Sequence, residues 1–372
     1  MSVAALIFAD SFDVDLDTLT EKRTMAAVPF GARYRVIDFL ISSLVNSGVK
    51  DIGIITTSKY HSLMNHVRAG SVWDLDRKRS SITFLPPYAT GASQKIYKNR
   101  LEAMQMNLSY LREIDDDYII FTACNYVGNI DFNGLYDAHI NSSADVTGLC
   151  TSNYMNKQPE LPVTEYRVDS SGQVTNVRIA KGHDPEMTIA TNTYIVERKL
   201  LIEELARSID ADQHSFRVDV LAPLVWEGRV NCFETPETIL FLDDTSCYLK
   251  SNLALLDRSI RDELFHKPGS PIITRVKDSA PTNYGAKAEV SNSLIADGAI
   301  IEGSVKNSII FRGVHVKEGA TVENSVVLQS ASIGEDAHIN YAVLDKGAII
   351  NDDRMLSGYI THPFYVGHNV VI

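Results

Sequence analysis

The sequence predicts an α/β domain with a mostly parallel, mixed sheet, followed by a C-terminal parallel β-helix. Three observations carry this expectation. Short apolar runs alternate with longer amphipathic ones from Val3 to about Leu255. From Val290 onward the texture changes, and branched apolar residues recur every five or six positions. The 372 residues are 45% hydrophobic with only 12 prolines, enough apolar material for two or three cored domains.

Taken in order, Ala4–Phe8, Asp51–Thr56, Tyr118–Thr122, Asp145–Cys150 and Thr191–Val196 read as strands. Ile37–Ser47, Arg100–Glu113 and Lys199–Ala206 read as helices, because their apolar residues recur at three and four. Such alternation predicts a mostly parallel sheet, whose ligands bind outside the carboxyl ends of the strands. The loops after Phe8 and Thr122 are therefore the expected seats of chemistry. Asn252 to Phe265 reads as one linking helix, ended by Lys267-Pro268-Gly269. Beyond it, Val316, Val322, Val327, Ile333, Ile339, Leu344 and Ile350 are spaced 6, 5, 6, 6, 5 and 6. A helix needs 3.6 and a half-buried strand needs 2, whereas a parallel β-helix turns one branched residue inward on each short flat side. The expected division is 1–251 for the α/β domain, 252–280 for the linker and 281–372 for the β-helix. A solenoid leaves its ends unfinished, so oligomerisation is expected.

The net charge of −12 argues against nucleic acid or an anionic membrane as partner, since phosphates are held by clustered Lys and Arg. The four cysteines show no CxxC spacing, so neither a zinc signature nor a secreted disulfide framework is expected. No apolar run approaches the roughly 20 residues that span a bilayer, and a strand-like segment follows Met1 directly. A reducing, cytoplasmic location is the expectation. Trp73, with Asp74, Asp76 and Arg77-Lys78-Arg79, reads as part of a mixed-charge surface loop.

Several segments carry a family likeness. They are Ala27-Val28-Pro29-Phe30-Gly31, Tyr34-Arg35-Val36-Ile37-Asp38-Phe39 and Asn46-Ser47-Gly48, then Ala144-Asp145-Val146-Thr147, His214-Ser215-Phe216 with Asp219, and Asn307-Ser308-Ile309-Ile310-Phe311. Together they resemble the ADP-glucose pyrophosphorylases (glucose-1-phosphate adenylyltransferases) over nearly the whole chain. The resemblance implies a Rossmann-like nucleotidyltransferase domain and a left-handed parallel β-helix of hexapeptide repeats. It also implies a reaction in which glucose 1-phosphate attacks the α-phosphorus of ATP, which depends on positioning and charge neutralisation. A glycine-rich loop, an Arg, a Lys and two Mg²⁺-binding Asp residues supply these.

The chain departs from that pattern at each part. Laid on the family motif A-G-G-x-G-[ST]-R-L, Ala9 to Leu16 places Asp10, Ser11 and Asp13 at glycines and Asp15 at the triphosphate-binding Arg. Two like charges about 4 Å apart repel by roughly 4 kcal/mol at an effective dielectric near 20. Met25 stands at the phosphate-contacting Lys, Asn125 at the first metal Asp and Phe241 at the second, with Asp243 and Asp244 close by. The sugar-phosphate side is less altered: Lys181 falls at the glucose 1-phosphate lysine, and His214, Phe216 and Asp219 keep their motif. Gly91 aligns with a loop near the adenine, and Lys22 and Arg23 match a basic pair near the effector site of some relatives.

The resemblance is thus to the GlgD-type, catalytically impaired regulatory subunit of the bacterial enzyme. It implies a heterotetramer with a catalytic subunit that itself uses Mg²⁺ and ATP, no cofactor or metal on this chain, and a sugar phosphate as a candidate effector. A homo-oligomer alone is also open. Two alternatives stand beside it: an active nucleotidyltransferase with a metal site rearranged through Asp243 or Asp244 and Asp13, and a sugar-phosphate sensor without catalysis.

Overall fold

The computed structural model describes residues 2–12, 14, 16–77, 80–87, 97–158, 160–276 and 278–372. Its first strand, Val3–Phe8, is entirely buried and apolar because both of its faces are covered. Val3, Ala5 and Ile7 join one core, while Ala4, Leu6 and Phe8 join another on the opposite face. It pairs in parallel with Asp51–Ile55 on one side and Tyr118–Thr122 on the other, and Asp51–Ile55 pairs in parallel with Ser81–Leu85. Thr188–Glu197 then joins Tyr118–Thr122 antiparallel, completing the mixed character of a nine-stranded sheet. The carboxyl ends of Val3–Phe8 and Tyr118–Thr122 therefore open on one edge.

The predicted strands and the helices at Val36–Asn46 and Arg198–Asp210 lie within a few residues of their expected bounds. Two predicted helices are each divided. Arg100–Glu113 is broken at Asn107, whose side-chain amide donates to the Ala103 carbonyl at 2.8 Å and competes with the helix ladder. The linking helix is two helices, Thr245–Ala254 and Arg258–Phe265; Asp257 caps the second by accepting from the Ser259 N–H at 2.7 Å. Trp73 is not a surface residue: it is 1% exposed and its indole N–H donates to Ser42. Cys150 and Cys232, on the adjacent parallel strands Val146–Thr151 and Val230–Glu234, form a disulfide, which the sequence expectation did not include. Sheet pairing across 82 residues brings them together, so spacing carried no sign of it.

The C-terminal region is the left-handed parallel β-helix, with three five-stranded parallel sheets as its faces. Ile301, Val316, Ile333 and Ile350 stack in one inward column, Val305, Val322, Ile339 and Leu356 in a second, and Ile310, Val327, Leu344 and Val366 in a third. The predicted spacing of five and six is this rotation from face to face. At one corner Asn292, Asn307 and Asn324 adopt left-handed backbone and pass side-chain hydrogen bonds from coil to coil.

Helix Thr245–Ala254 joins the two bodies. Tyr248 and Leu249 share a core with Phe311, Leu328 and Val343 of the solenoid, and the Tyr248 hydroxyl donates to the Pro29 carbonyl at 2.7 Å. Among the described residues no helix is long and apolar enough to cross a membrane.

Candidate functional site

After Phe8 the chain turns at Ala9, whose N–H donates to Ile55 and whose carbonyl accepts from Ala26. This places Asp10 and Met25 on one cavity of about 470 Å³, lined also by Ser11, Phe12, Thr57 and Tyr97. Asp10 accepts from the Thr57 N–H at 3.2 Å and the Thr57 hydroxyl at 2.5 Å, and burial raises its carboxyl above the usual range. A side-chain oxygen thus occupies the approach that glycine would leave to a phosphate. Asp13, Asp15 and Gly91 lie outside the described residues.

At the end of Tyr118–Thr122 the chain reaches Asn125, which is 3% exposed. Phe241 ends the short strand Ile239–Phe241 and pairs with Tyr126, while the Leu242 N–H donates to the Asn125 carbonyl at 2.9 Å. The two positions aligned with metal carboxylates are therefore neighbours. Asn125 donates to Asp243 at 3.1 Å, and the other oxygen of Asp243 accepts from Lys157 Nζ at 2.6 Å and the Gln158 N–H at 3.2 Å. Asp244 caps helix Thr245–Ala254 through the Cys247 N–H at 2.6 Å. A neutral amide, an aromatic ring and one carboxylate already paired with an ammonium do not fit Mg²⁺, which is held by carboxylate and phosphate oxygens. Among the described residues, no group of three His, Cys, Asp or Glu side chains could hold a metal.

The residues expected on the sugar-phosphate side are dispersed in role. Lys181 is exposed at the end of strand Val174–Lys181. His214 is exposed, whereas Phe216 is buried 5.0 Å from Phe121 and 5.2 Å from Tyr194 in the core. Asp219 accepts from the backbone N–H groups of His214 at 3.0 Å and Ser215 at 2.7 Å. Sequence reasoning missed Glu165, a fully buried carboxylate that accepts from Arg178, from His183 Nδ1 at 2.5 Å and from the Asp184 N–H. It also missed Lys157.

A second cavity, of about 380 Å³, lies between the α/β domain and the solenoid. Lys22 and Arg23 line it together with Arg33, Arg35, Arg275, Arg312, Lys346, His66 and His368. The two expected effector residues differ in kind. Lys22 is exposed; Arg23 is 8% exposed and its Nη2 lies 2.9 and 3.0 Å from the two oxygens of Asp345 on the solenoid. Arg23 Nη1 and His368 Nδ1 are buried without a hydrogen-bond partner. Arg35 donates to Ser62, and burial pulls its guanidinium down to about 10. Lys22, Arg33 and Lys346 have no ion pair among the described residues. So many donors facing one space suit a ligand with several anionic oxygens. Residues 22 to 368 contribute, so the sequence announces the Lys22–Arg23 pair but not the cleft around it.

Residues 15–234 match the nucleotidyl transferase family, and residues 279–358 match the GlmU-like C-terminal hexapeptide family. The chain is 31% identical to the glucose-1-phosphate adenylyltransferase of Thermosipho africanus (strain TCF52B), over 86% of this chain and 78% of the relative. It is 32% identical to the glycogen biosynthesis protein GlgD of Geobacillus stearothermophilus, over 85% of this chain and 82% of that protein. Against the glucose-1-phosphate adenylyltransferase of the same organism it is 28% identical, over 86% and 82% respectively.

Proposed function

The chain belongs to the glucose-1-phosphate adenylyltransferase family, and from that premise we propose that it is a non-catalytic regulatory subunit of this enzyme in glycogen biosynthesis. It assembles with a catalytic subunit into a heterotetramer and modulates the synthesis of ADP-glucose from ATP and glucose 1-phosphate. The observation that carries the reading is that Asn125 and Phe241, the residues aligned with the two metal carboxylates, lie side by side on adjacent segments and offer neither carboxylate, while the fold around them persists. The higher identity to GlgD than to the adenylyltransferase of one organism supports it. Asp243 and Asp244, the residues on which a rearranged metal site would depend, are engaged by Lys157, Asn125 and a helix terminus.

The interdomain cleft supplies the regulatory part of the reading. Its cations suit a sugar phosphate, through which the chain would sense metabolic state. Coupling between that ligand and the partner's active site is expected at about 1–3 kcal/mol, the usual scale of allosteric linkage. The test is an assay of ADP-glucose formation by the pure chain, by its catalytic partner, and by a one-to-one mixture. Little activity from the pure chain and an altered response of the mixture are expected. Robust synthesis by the pure chain, or a mixture indistinguishable from the partner alone, overturns the proposal.

A further inference from the structure

Lys157 lies between the strands Tyr154–Met155 and Pro162–Val168, and its side chain turns inward until only 12% remains exposed. Two contacts fix the ammonium. It lies 2.6 Å from Asp243 Oδ2, a carboxylate with no exposure, and 4.4 Å from the centroid of the Phe241 ring. A cation over an aromatic face is attracted by the ring quadrupole, more strongly when little water intervenes. Asn125 donates to the remaining oxygen of Asp243. Thus Asn125 and Phe241, the two positions that lack their carboxylates, both adjoin the Asp243–Lys157 ion pair, whose cation lies outside the aligned motifs.

We propose that the Lys157 ammonium is the resident cation of this cleft, standing where catalytic relatives hold a divalent metal, and that it keeps such a metal out. The inference rests on the reading of the cleft as non-catalytic and adds the device that makes it so. A divalent ion entering here must take Asp243 from Lys157. The ammonium would then be left buried against a ring with its counter-charge gone, beside a second cation. The one spare acceptor, Asn125 Oδ1, is buried without a partner but neutral, so it contributes no charge to offset this. The exchange of carboxylates for Asn125 and Phe241 and the arrival of Lys157 are one electrostatic change: two fewer anions and a built-in cation.

The test uses the full chain and Mn²⁺, read by the electron paramagnetic resonance signal of the free ion. The wild type is expected to show no saturable site. Asn125→Asp with Lys157→Met is expected to bind one Mn²⁺ at least about 10-fold more tightly than Asn125→Asp alone, since each tenfold is about 1.4 kcal/mol. Lys157→Arg in the Asn125→Asp background keeps a cation and is expected to bind no better than Asn125→Asp. Saturable wild-type binding that is lost in Asp243→Asn overturns the proposal, as does equal Mn²⁺ affinity with and without Lys157. If the double variant does not fold, the ¹⁵N resonance of the wild-type Lys157 ammonium decides. Indifference to added Mg²⁺ supports the proposal, and a saturable shift overturns it. Neither readout involves the catalytic partner, so failure here and failure of the regulatory reading are separately visible.

Discussion

Arg23 and Asp345 are 322 residues apart in sequence and 2.9 Å apart in space, a buried ion pair that bolts the nucleotidyltransferase domain to the solenoid. Asp345 also accepts from the Tyr365 hydroxyl at 2.9 Å and from the Lys346 N–H at 2.6 Å, so its oxygens are fully engaged. Removing one member of such a pair leaves a buried charge uncompensated, which costs about 3–5 kcal/mol, whereas removing both costs less. Arg23→Met is therefore expected to lower the urea midpoint strongly, and Arg23→Met with Asp345→Leu to recover part of the loss. A double-mutant cycle on unfolding, followed by circular dichroism, measures the coupling. Additive single effects would show that the bolt holds nothing.

The same arginine also lines the basic cleft, so the bolt and the cleft share a side chain. Lys346 follows Asp345 directly, is exposed and lines that cleft, which makes it the cleaner probe. Lys346→Glu is expected to weaken binding of a sugar phosphate by about 10- to 100-fold, the scale of one charge-assisted hydrogen bond. Calorimetric titration of the isolated chain measures it, and added salt should shrink the difference. Unchanged affinity would remove Lys346 from the ligand's surroundings.

In the solenoid, adjacent residues should differ sharply. Ile301 is fully buried in an inward column, while its neighbour Ile300 is 39% exposed on the same strand. Ile301→Ala is expected to cost about 2–5 kcal/mol through lost burial and a residual cavity. Ile300→Ala is expected to stay within about 0.5 kcal/mol, as surface substitutions do. Thermal unfolding of the two variants separates them. Equal losses would contradict the assignment of inward positions.

The inward columns were legible because one branched residue per flat side leaves a period that no helix or ordinary strand shares. Asn125 and Phe241 stood out singly, as an amide and a ring at aligned positions, but that they are neighbours follows only from the fold, where the Leu242 N–H donates to the Asn125 carbonyl. The division of the linking helix was not legible, since apolar residues continue through Leu253, Leu255 and Leu256 and only the Asp257 cap marks the break. Lys157, the Cys150–Cys232 disulfide and the basic cleft were hidden for another reason. Each joins residues distant in sequence, and the partners are chosen by sheet order and domain packing. Arg23 shows the limit within a single motif: the basic pair was visible, but its neighbour Lys22 faces water while Arg23 faces Asp345.

His139 gives a pH-dependent prediction. Helix Phe132–Asn141 buries it, with Nδ1 2.9 Å from the Thr147 hydroxyl and the ring 5.5 Å from that of Tyr118. Burial pulls its pKa down to about 4, against an opposing pull from Asp145. The folded chain therefore keeps His139 neutral at pH values where the unfolded chain protonates it, near 6.5. Its contribution to stability is present above pH 6.5 and is lost as pH falls from there towards 4. The lowered pKa corresponds to at most about 3 kcal/mol. Solvent in the adjoining cavity of about 240 Å³, lined by Tyr118, Ser142 and Asp145, reduces this to about 1–2 kcal/mol. His139→Gln keeps a polar group for Thr147 and removes the titration. The stability difference between wild type and this variant should therefore narrow or reverse in the variant's favour between pH 6.5 and 4.5. Urea unfolding at both pH values reads it, and a difference that stays constant across the window would mean that His139 is charged in the folded chain.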